Sequence, residues 1–238
     1  MNIVIDYGNT SAKVGIFDHY TLKEKLVFQS AEELKNFLQN FSADYGIISS
    51  VSIPSEQIAT WINASKVFIL SLALPLPVQN LYATPQTLGM DRLAAVCGAR
   101  QMFPYKDVLV MDAGTCITYE FLDAAGNYHG GGIAPGLSMR LQAMHQLTAR
   151  LPLVSVVENP PLIGNSTETC LQSGTIWGMC CEMEGMIQAF LVKFKGLQVI
   201  LCGGDARFFE NKLKAPIFAV PELVLSGLNS ILIHNVNR

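Results

Sequence analysis

Ile3-Val4-Ile5-Asp6-Tyr7-Gly8-Asn9-Thr10 has a near copy further along the chain, Leu109-Val110-Met111-Asp112-Ala113-Gly114-Thr115. In both, an apolar, β-branched run ends in Asp, and after one spacer residue comes Gly, then small polar residues. Each is followed by a second strand-like stretch, Ala12-Lys13-Val14-Gly15-Ile16-Phe17 in the first and Cys116-Ile117-Thr118-Tyr119-Glu120-Phe121 in the second. Strand, glycine turn and strand together read as a hairpin. A third strand is predicted at 25–29 and at 128–133, and helical periodicity takes over at 31–40 and 137–148. Two β-β-β-α beginnings imply a duplicated α/β molecule, with domains over 1–105 and 106–238.

The remaining pattern places strands at 45–49, 66–70 and 198–202, and helices at 90–101, 168–195, 206–213 and 222–234. Residues 74–86 carry Pro75, Pro77 and Pro85 and read as a rigid connection. The 168–195 helix is apolar nearly all round, with Ile176, Trp177, Met179, Met183, Ile187 and Phe190 covering more than one stripe. Such a helix must be covered on several sides. A homodimer interface is expected there, a central core helix being the alternative.

Bulk composition removes several classes of function. Half of the 238 residues are hydrophobic, 15% are charged and the net charge is −3, so long disorder is excluded. So low a charge also suggests a surface covered by a partner. No basic cluster exists to meet phosphate backbones, and nucleic acid is not an expected partner. The longest apolar stretch, 67–78, is interrupted by Ser71, Pro75 and Pro77 and falls short of the ~20 residues that cross a bilayer. No leader pattern precedes the first strand, so a cytoplasmic protein is expected. Cys97, Cys116, Cys170, Cys180, Cys181 and Cys202 form no C-x-x-C pair and read as reduced, mostly buried thiols with no zinc.

Three motifs can carry chemistry. A Gly in a hairpin turn lets backbone N–H groups approach an anion, and the neighbouring Asn9, Thr10 or Thr115 adds side-chain donors. Asp6 or Asp112 at the strand end can hold a hydrated Mg2+ bridging phosphates, and Lys13 adds positive charge. One such turn alone is ordinary hairpin chemistry; two copies point to phosphate. Gly203-Gly204-Asp205-Ala206 follows an apolar strand and permits close approach of a flat ligand such as adenine, or serves as a plain strand-to-helix turn. Gly89-Met90-Asp91-Arg92 opens a helix and offers a base beside an anion clamp, or an N-cap Asp with a solvent-facing Arg. Neither G-x-x-x-x-G-K-[ST] nor G-x-G-x-x-G is present, which disfavours the P-loop and Rossmann routes to nucleotides.

Taken in order, these motifs resemble those of the type III pantothenate kinases, members of the acetate kinase, sugar kinase, heat-shock ATPase and actin superfamily. The resemblance spans nearly the whole chain. It rests on Asp6-x-Gly8-Asn9-Thr10, Tyr82 with Gly89-x-Asp91-Arg92, Asp112-x-Gly114-Thr115, Gly130-Gly131-x-x-x-Pro135-Gly136, and Gly203-Gly204-Asp205-Ala206. It implies two ribonuclease H-like, actin-like ATPase domains around a central cleft. It further implies that Asp6, Tyr7, Gly8, Asn9, Thr10, Ser11, Ala12 and Lys13 cradle the phosphates of ATP, with Thr115 reaching them from the second half. Asp112 would hold a monovalent cation, potassium or ammonium, and Asp6 would hold Mg2+ through water. Asp91, partly buried, would be the general base on pantothenate. Tyr82, Gly89, Met90, Arg92 and, across a dimer, Thr167 would bind that substrate. Cys116 departs from the family, which more often has Ala there, and would alter packing only. The competing expectations are another kinase or phosphatase of the superfamily, or a catalytically inactive regulatory relative.

Overall fold

A computed structural model describes every residue, Met1–Arg238, and resolves two compact units. The first comprises 1–105, 122–129 and 222–238; the second comprises 106–121 and 130–221.

In the first unit the opening hairpin forms as β1 (Asn2–Tyr7) and β2 (Ala12–Asp18), antiparallel and in register from Asn2 opposite Phe17 to Tyr7 opposite Ala12. The third strand, β3 (Thr21–Phe28), starts earlier than the periodicity indicated, because the chain reverses at His19 and Tyr20 with His19 in the left-handed region (φ 51°). Then come α1 (Ala31–Asn40), β4 (Ser42–Ser50), a short α2 (Ser55–Ala59) and β5 (Asn63–Ile69). The sheet order is β3-β2-β1-β4-β5, with β4 parallel to both β1 and β5. Ser30 caps α1 by accepting from the Glu33 N–H, and Leu34 and Leu38 sit one turn apart facing the sheet. They pack on Ile3, Ile5, Val14 and Ile48, all fully buried.

The same unit holds β6 (Gln79–Asn80), a 3-10 turn at Pro85–Thr87 and α3 (Met90–Met102). It also holds the hairpin end at 122–129 and the C-terminal helix α7 (Leu223–Val236).

The second unit repeats the pattern. β7 (Val108–Ala113), β8 (Cys116–Leu122) and β9 (Asn127–Pro135) precede α4 (Leu137–Leu147); α5 (Thr167–Lys193), β10 (Gln198–Cys202), α6 (Ala206–Glu210) and β11 (Phe218–Ala219) follow. Strand order runs β9-β8-β7-β10-β11, with β10 parallel to β7 and to β11. Read from the first strand of each half, the two sheets have the same order, which is the duplication the paired turns announced. β6 pairs with Asn127 and Tyr128 on the hairpin end that belongs to the first unit. The last element, α7 (Leu223–Val236), packs on α3 so closely that a Cβ on Gly227 would meet the Ala94 carbonyl.

Several sequence expectations need correction. α6 stops at Glu210 rather than at 213, because Glu184 of α5 accepts the backbone N–H groups of Lys214 and Ala215 and draws the chain away before Pro216. Only Cys97, Cys180 and Cys202 are buried; Cys170 and Cys181 lie on the outward side of α5, and Cys116 is partly covered at the start of β8. α5 itself is not covered on several sides within the chain. Ile176, Met179, Met183 and Ile187 are buried, while Gly174, Gly178, Cys181 and Gly185 are exposed. No helix is long and apolar enough to cross a membrane.

Candidate active site

In the first unit, β1 delivers Asp6 to the sheet edge directly opposite Lys13 of β2. Between them the chain reverses through Gly8, whose N–H donates to the Ser11 carbonyl at 3.0 Å. Asn9 and Thr10 stand exposed at the tip, and the Ser52 hydroxyl holds the Gly8 carbonyl at 2.8 Å. The loop is therefore anchored at its base and open at its tip, with unspent donors facing outward.

Burial pushes the Asp6 carboxyl above its ordinary range; Lys13 opposes this and the negative charge of Asp91 adds to it. The charge of Asp91 thus reaches Asp6 although the two are far apart in the sequence. Asp91 lies in the first turn of α3, and Gly89 rather than Asp91 is the N-cap. The expectation of a partly buried Asp91 is corrected: it is exposed, its Oδ1 accepting from the Arg92 N–H at 2.8 Å. Arg92 is the buried member, at 8% exposure, which also corrects the picture of a solvent-facing Arg. Its guanidinium sits 5.5 Å from the centre of the Tyr82 ring, and that ring stacks on Tyr128 at 6.2 Å and 6°. The Tyr82 N–H donates to Asn80 Oδ1 at 3.0 Å, fixing the aromatic pair to β6.

In the second unit the other turn is two residues long, closed by the Gly114 N–H donating to the Cys116 carbonyl at 3.0 Å. Gly203 adopts φ 93°, and a Cβ there would strike both the Ala113 carbonyl and an Asp112 oxygen. The following Asp205 N–H donates to that Ala113 carbonyl at 2.9 Å, and burial raises the Asp205 carboxyl. Gly136 donates its N–H to the Thr115 carbonyl at 3.1 Å and lies so tightly on Gly114 and Thr115 that no side chain fits. Three motifs far apart in sequence, at 112–115, 135–136 and 203–206, therefore converge on one turn. Thr167 is the first residue of α5, behind a capping box of Ser166 and Thr169. It lines an open cavity of about 1110 Å³ with Asn165, Arg140 and Thr175. The buried Thr175 hydroxyl has no hydrogen-bond partner.

No three His, Cys, Asp or Glu side chains cluster as a metal cage. Mg2+ needs none: it is held by one or two carboxylates together with substrate phosphates and water. Asp6, partly buried and within the field of Asp91, is a donor whose charge a cation would relieve.

The profile of the type III pantothenate kinases matches residues 2–189. The chain belongs to that family. Type III pantothenate kinases of Bacteroides fragilis and Phocaeicola vulgatus are each 47% identical to it, over all of both chains in the first case and 99% of both in the second. That of Porphyromonas gingivalis is 37% identical over 99% of each. Among solved structures, a Campylobacter jejuni protein assigned to the Baf family of transcriptional activators superposes with TM-score 0.64 at 20% identity, covering 99% of this chain and all of that one. A glucokinase from an Antarctic psychrotroph gives 0.52 at 11% identity, over 98% of both chains. These two likenesses concern fold, and they agree with the actin-like kinase architecture expected of each half.

Two features escaped the sequence reading. Arg140 on the cavity wall belongs to no motif, and Glu182, an acid inside the apolar run of α5, was the available signal that something there needed a charge.

Proposed function

We propose that this protein transfers the γ-phosphoryl group of ATP to the primary hydroxyl of pantothenate, yielding 4'-phosphopantothenate, the first step of coenzyme A biosynthesis. The observation that carries the proposal is membership of this family over the whole chain, with Asp91 accepting from the N–H of the buried Arg92 whose guanidinium lies over the Tyr82 ring. In this reading residues 6–13 hold the phosphates through backbone N–H groups, Asn9, Thr10 and Lys13, and Thr115 contacts them as well. Asp6 would hold Mg2+ through water on the phosphates, where the cation would supply charge neutralisation, and Asp112 would hold a monovalent cation, K+ or NH4+.

Pantothenate is a carboxylate with a terminal hydroxyl, which suits a buried Arg92 stiffened by Tyr82 at one end and the exposed carboxyl group of Asp91 at the other. Asp91 orients the hydroxyl and takes its proton as the new O–P bond forms and the bond to the β–γ bridging oxygen breaks, releasing ADP. A loose transition state asks mainly for alignment and charge neutralisation, which this constellation supplies. The exposure of Asp91 fits a base that must meet an incoming hydroxyl.

Thr167 joins the substrate across a homodimer. Support for the dimer lies on α5: Gly174, Gly178 and Gly185 have no atom within 4 Å of a built Cβ, and with Cys181 they form one small-residue face. Light scattering should show a dimer that Gly178→Arg dissociates. The reaction is tested by a coupled ADP-release assay over a panel of hydroxyl acceptors, with pantothenate preferred over sugars by at least about a hundredfold. Equal or better turnover of a sugar would assign the chain to another kinase reaction.

A further inference from the structure

One polar knot in the second unit serves no role in the reaction as described. Tyr119 of β8, 2% exposed, donates its hydroxyl to Glu182 Oε1 on α5 at 2.9 Å. The other carboxylate oxygen, Oε2, receives Nη2 of Arg140 on α4 at 2.5 Å. Arg140 Nε donates to the Pro135 carbonyl at 2.8 Å, at the end of β9. The next residue is Gly136, whose N–H holds the Thr115 carbonyl. A continuous line of hydrogen bonds therefore runs from α5 through α4 and the end of β9 to the turn that carries Thr115.

We propose that Tyr119, Glu182 and Arg140 are positioning residues that set the backbone of the Gly114–Thr115 turn against the phosphates of ATP. This rests on the reading of Thr115 as a phosphate contact. The geometry favours positioning over plain stabilisation. The Arg140 and Glu182 side chains keep 22% and 29% of their exposure, and pairs near solvent add little to folding. Arg140 nevertheless commits two separate guanidinium nitrogens to two acceptors on different elements, which fixes the direction of the fork. Gly136, pressed onto the Gly114 and Thr115 carbonyls without space for a Cβ, passes any displacement of Pro135 to the turn. Burial, aided by the Glu182 hydrogen bond, raises the Tyr119 hydroxyl well above its usual range, so it remains a donor throughout the working pH range.

The test uses Glu182→Gln, Arg140→Gln, Arg140→Lys and Tyr119→Phe in the full-length protein. Glu182→Gln and Arg140→Gln should each raise KM for ATP about tenfold, since small misplacements of a binding group are costly. KM for pantothenate at saturating ATP should stay within about twofold. Arg140→Lys keeps the charge but cannot serve both acceptors, and should recover only part of the loss. Tyr119→Phe keeps the packing, folds on any account, and should raise KM for ATP about threefold, the loss of one hydrogen bond. The Arg140→Gln/Glu182→Gln double variant should be no worse than the poorer single variant. Ligand-observed NMR of ATP binding separates this idea from the reaction assignment. A wild-type protein that binds ATP but makes no phosphopantothenate would sink the assignment alone, while weakened binding in Glu182→Gln would still support the knot. Lower melting temperature and kcat with unchanged ATP affinity, or additive losses in the double variant, would overturn the proposal.

Discussion

The two Asp–Gly turns begin from nearly the same letters and end as different devices. In the first, Asp6 faces Lys13 across the ladder, feels Asp91, and is followed by a four-residue loop (8–11) with Asn9 and Thr10 exposed. In the second, the loop is two residues (114–115), and Asp112 is packed against Gly203, which leaves no space for a side chain. One turn concentrates charge and open donors; the other is braced by backbone from Gly136 and Asp205. Duplication supplied two Asp–Gly hairpins, and the two copies differ in loop length and in what packs against them. In the proposed reading both turns meet the phosphates, the first with charge and open donors and the second with a braced backbone.

The largest effect that can break this contrast is at Asp91. Asp91→Asn should lower kcat about 10²–10⁴-fold while ATP still binds, as for loss of a placed general base. Near-normal turnover would move the base to Asp6 or Asp112.

Next comes Asp6→Asn, expected to cost about a hundredfold in activity through lost charge handling at the phosphates. Its effect on folding has the opposite sign. The folded-state pKa of Asp6 is raised, so protonation of Asp6 contributes stability that is fully present below the unfolded value, about 3.9, and is lost as pH rises through the folded value. At neutral pH the Asn variant should melt above the wild type, and the gap should narrow as the pH falls through the raised folded value and be gone below about 4. Thermal melts over a pH series check this; a variant less stable at neutral pH would contradict the buried, disfavoured charge.

The smallest effects sharpen the account of the braced turn. Gly203→Ala must accept φ 93° and a clash with Ala113, and should lose about 1–3 kcal/mol in denaturant titration. Gly204→Ala, with nothing within 4 Å, should stay within about 0.5 kcal/mol. Equal effects at the two positions would deny that Gly203 braces Asp112.

Both hairpins, the repeated α/β plan and the start of α3 were legible because each is local: alternation, a glycine and a polar residue suffice. The convergence of Gly136 and Gly203 on one turn was not legible, since close backbone approach leaves no trace beyond a glycine. Arg92 stayed open between an anion clamp and a solvent-facing cation for a related reason. A lone Arg reads as solvent-facing, and only the fold brings Tyr82 beneath it and removes it from water. β6 and β11, two residues each, are too short to leave a period. The outward glycines of α5 sat inside a run whose average apolarity concealed a bare face.

The most direct measurement incubates the purified protein with ATP, Mg2+, K+ and pantothenate and follows both products by mass spectrometry. The account predicts 4'-phosphopantothenate and ADP appearing together in equal amounts. ADP accumulating without phosphopantothenate, or neither product forming, would contradict it.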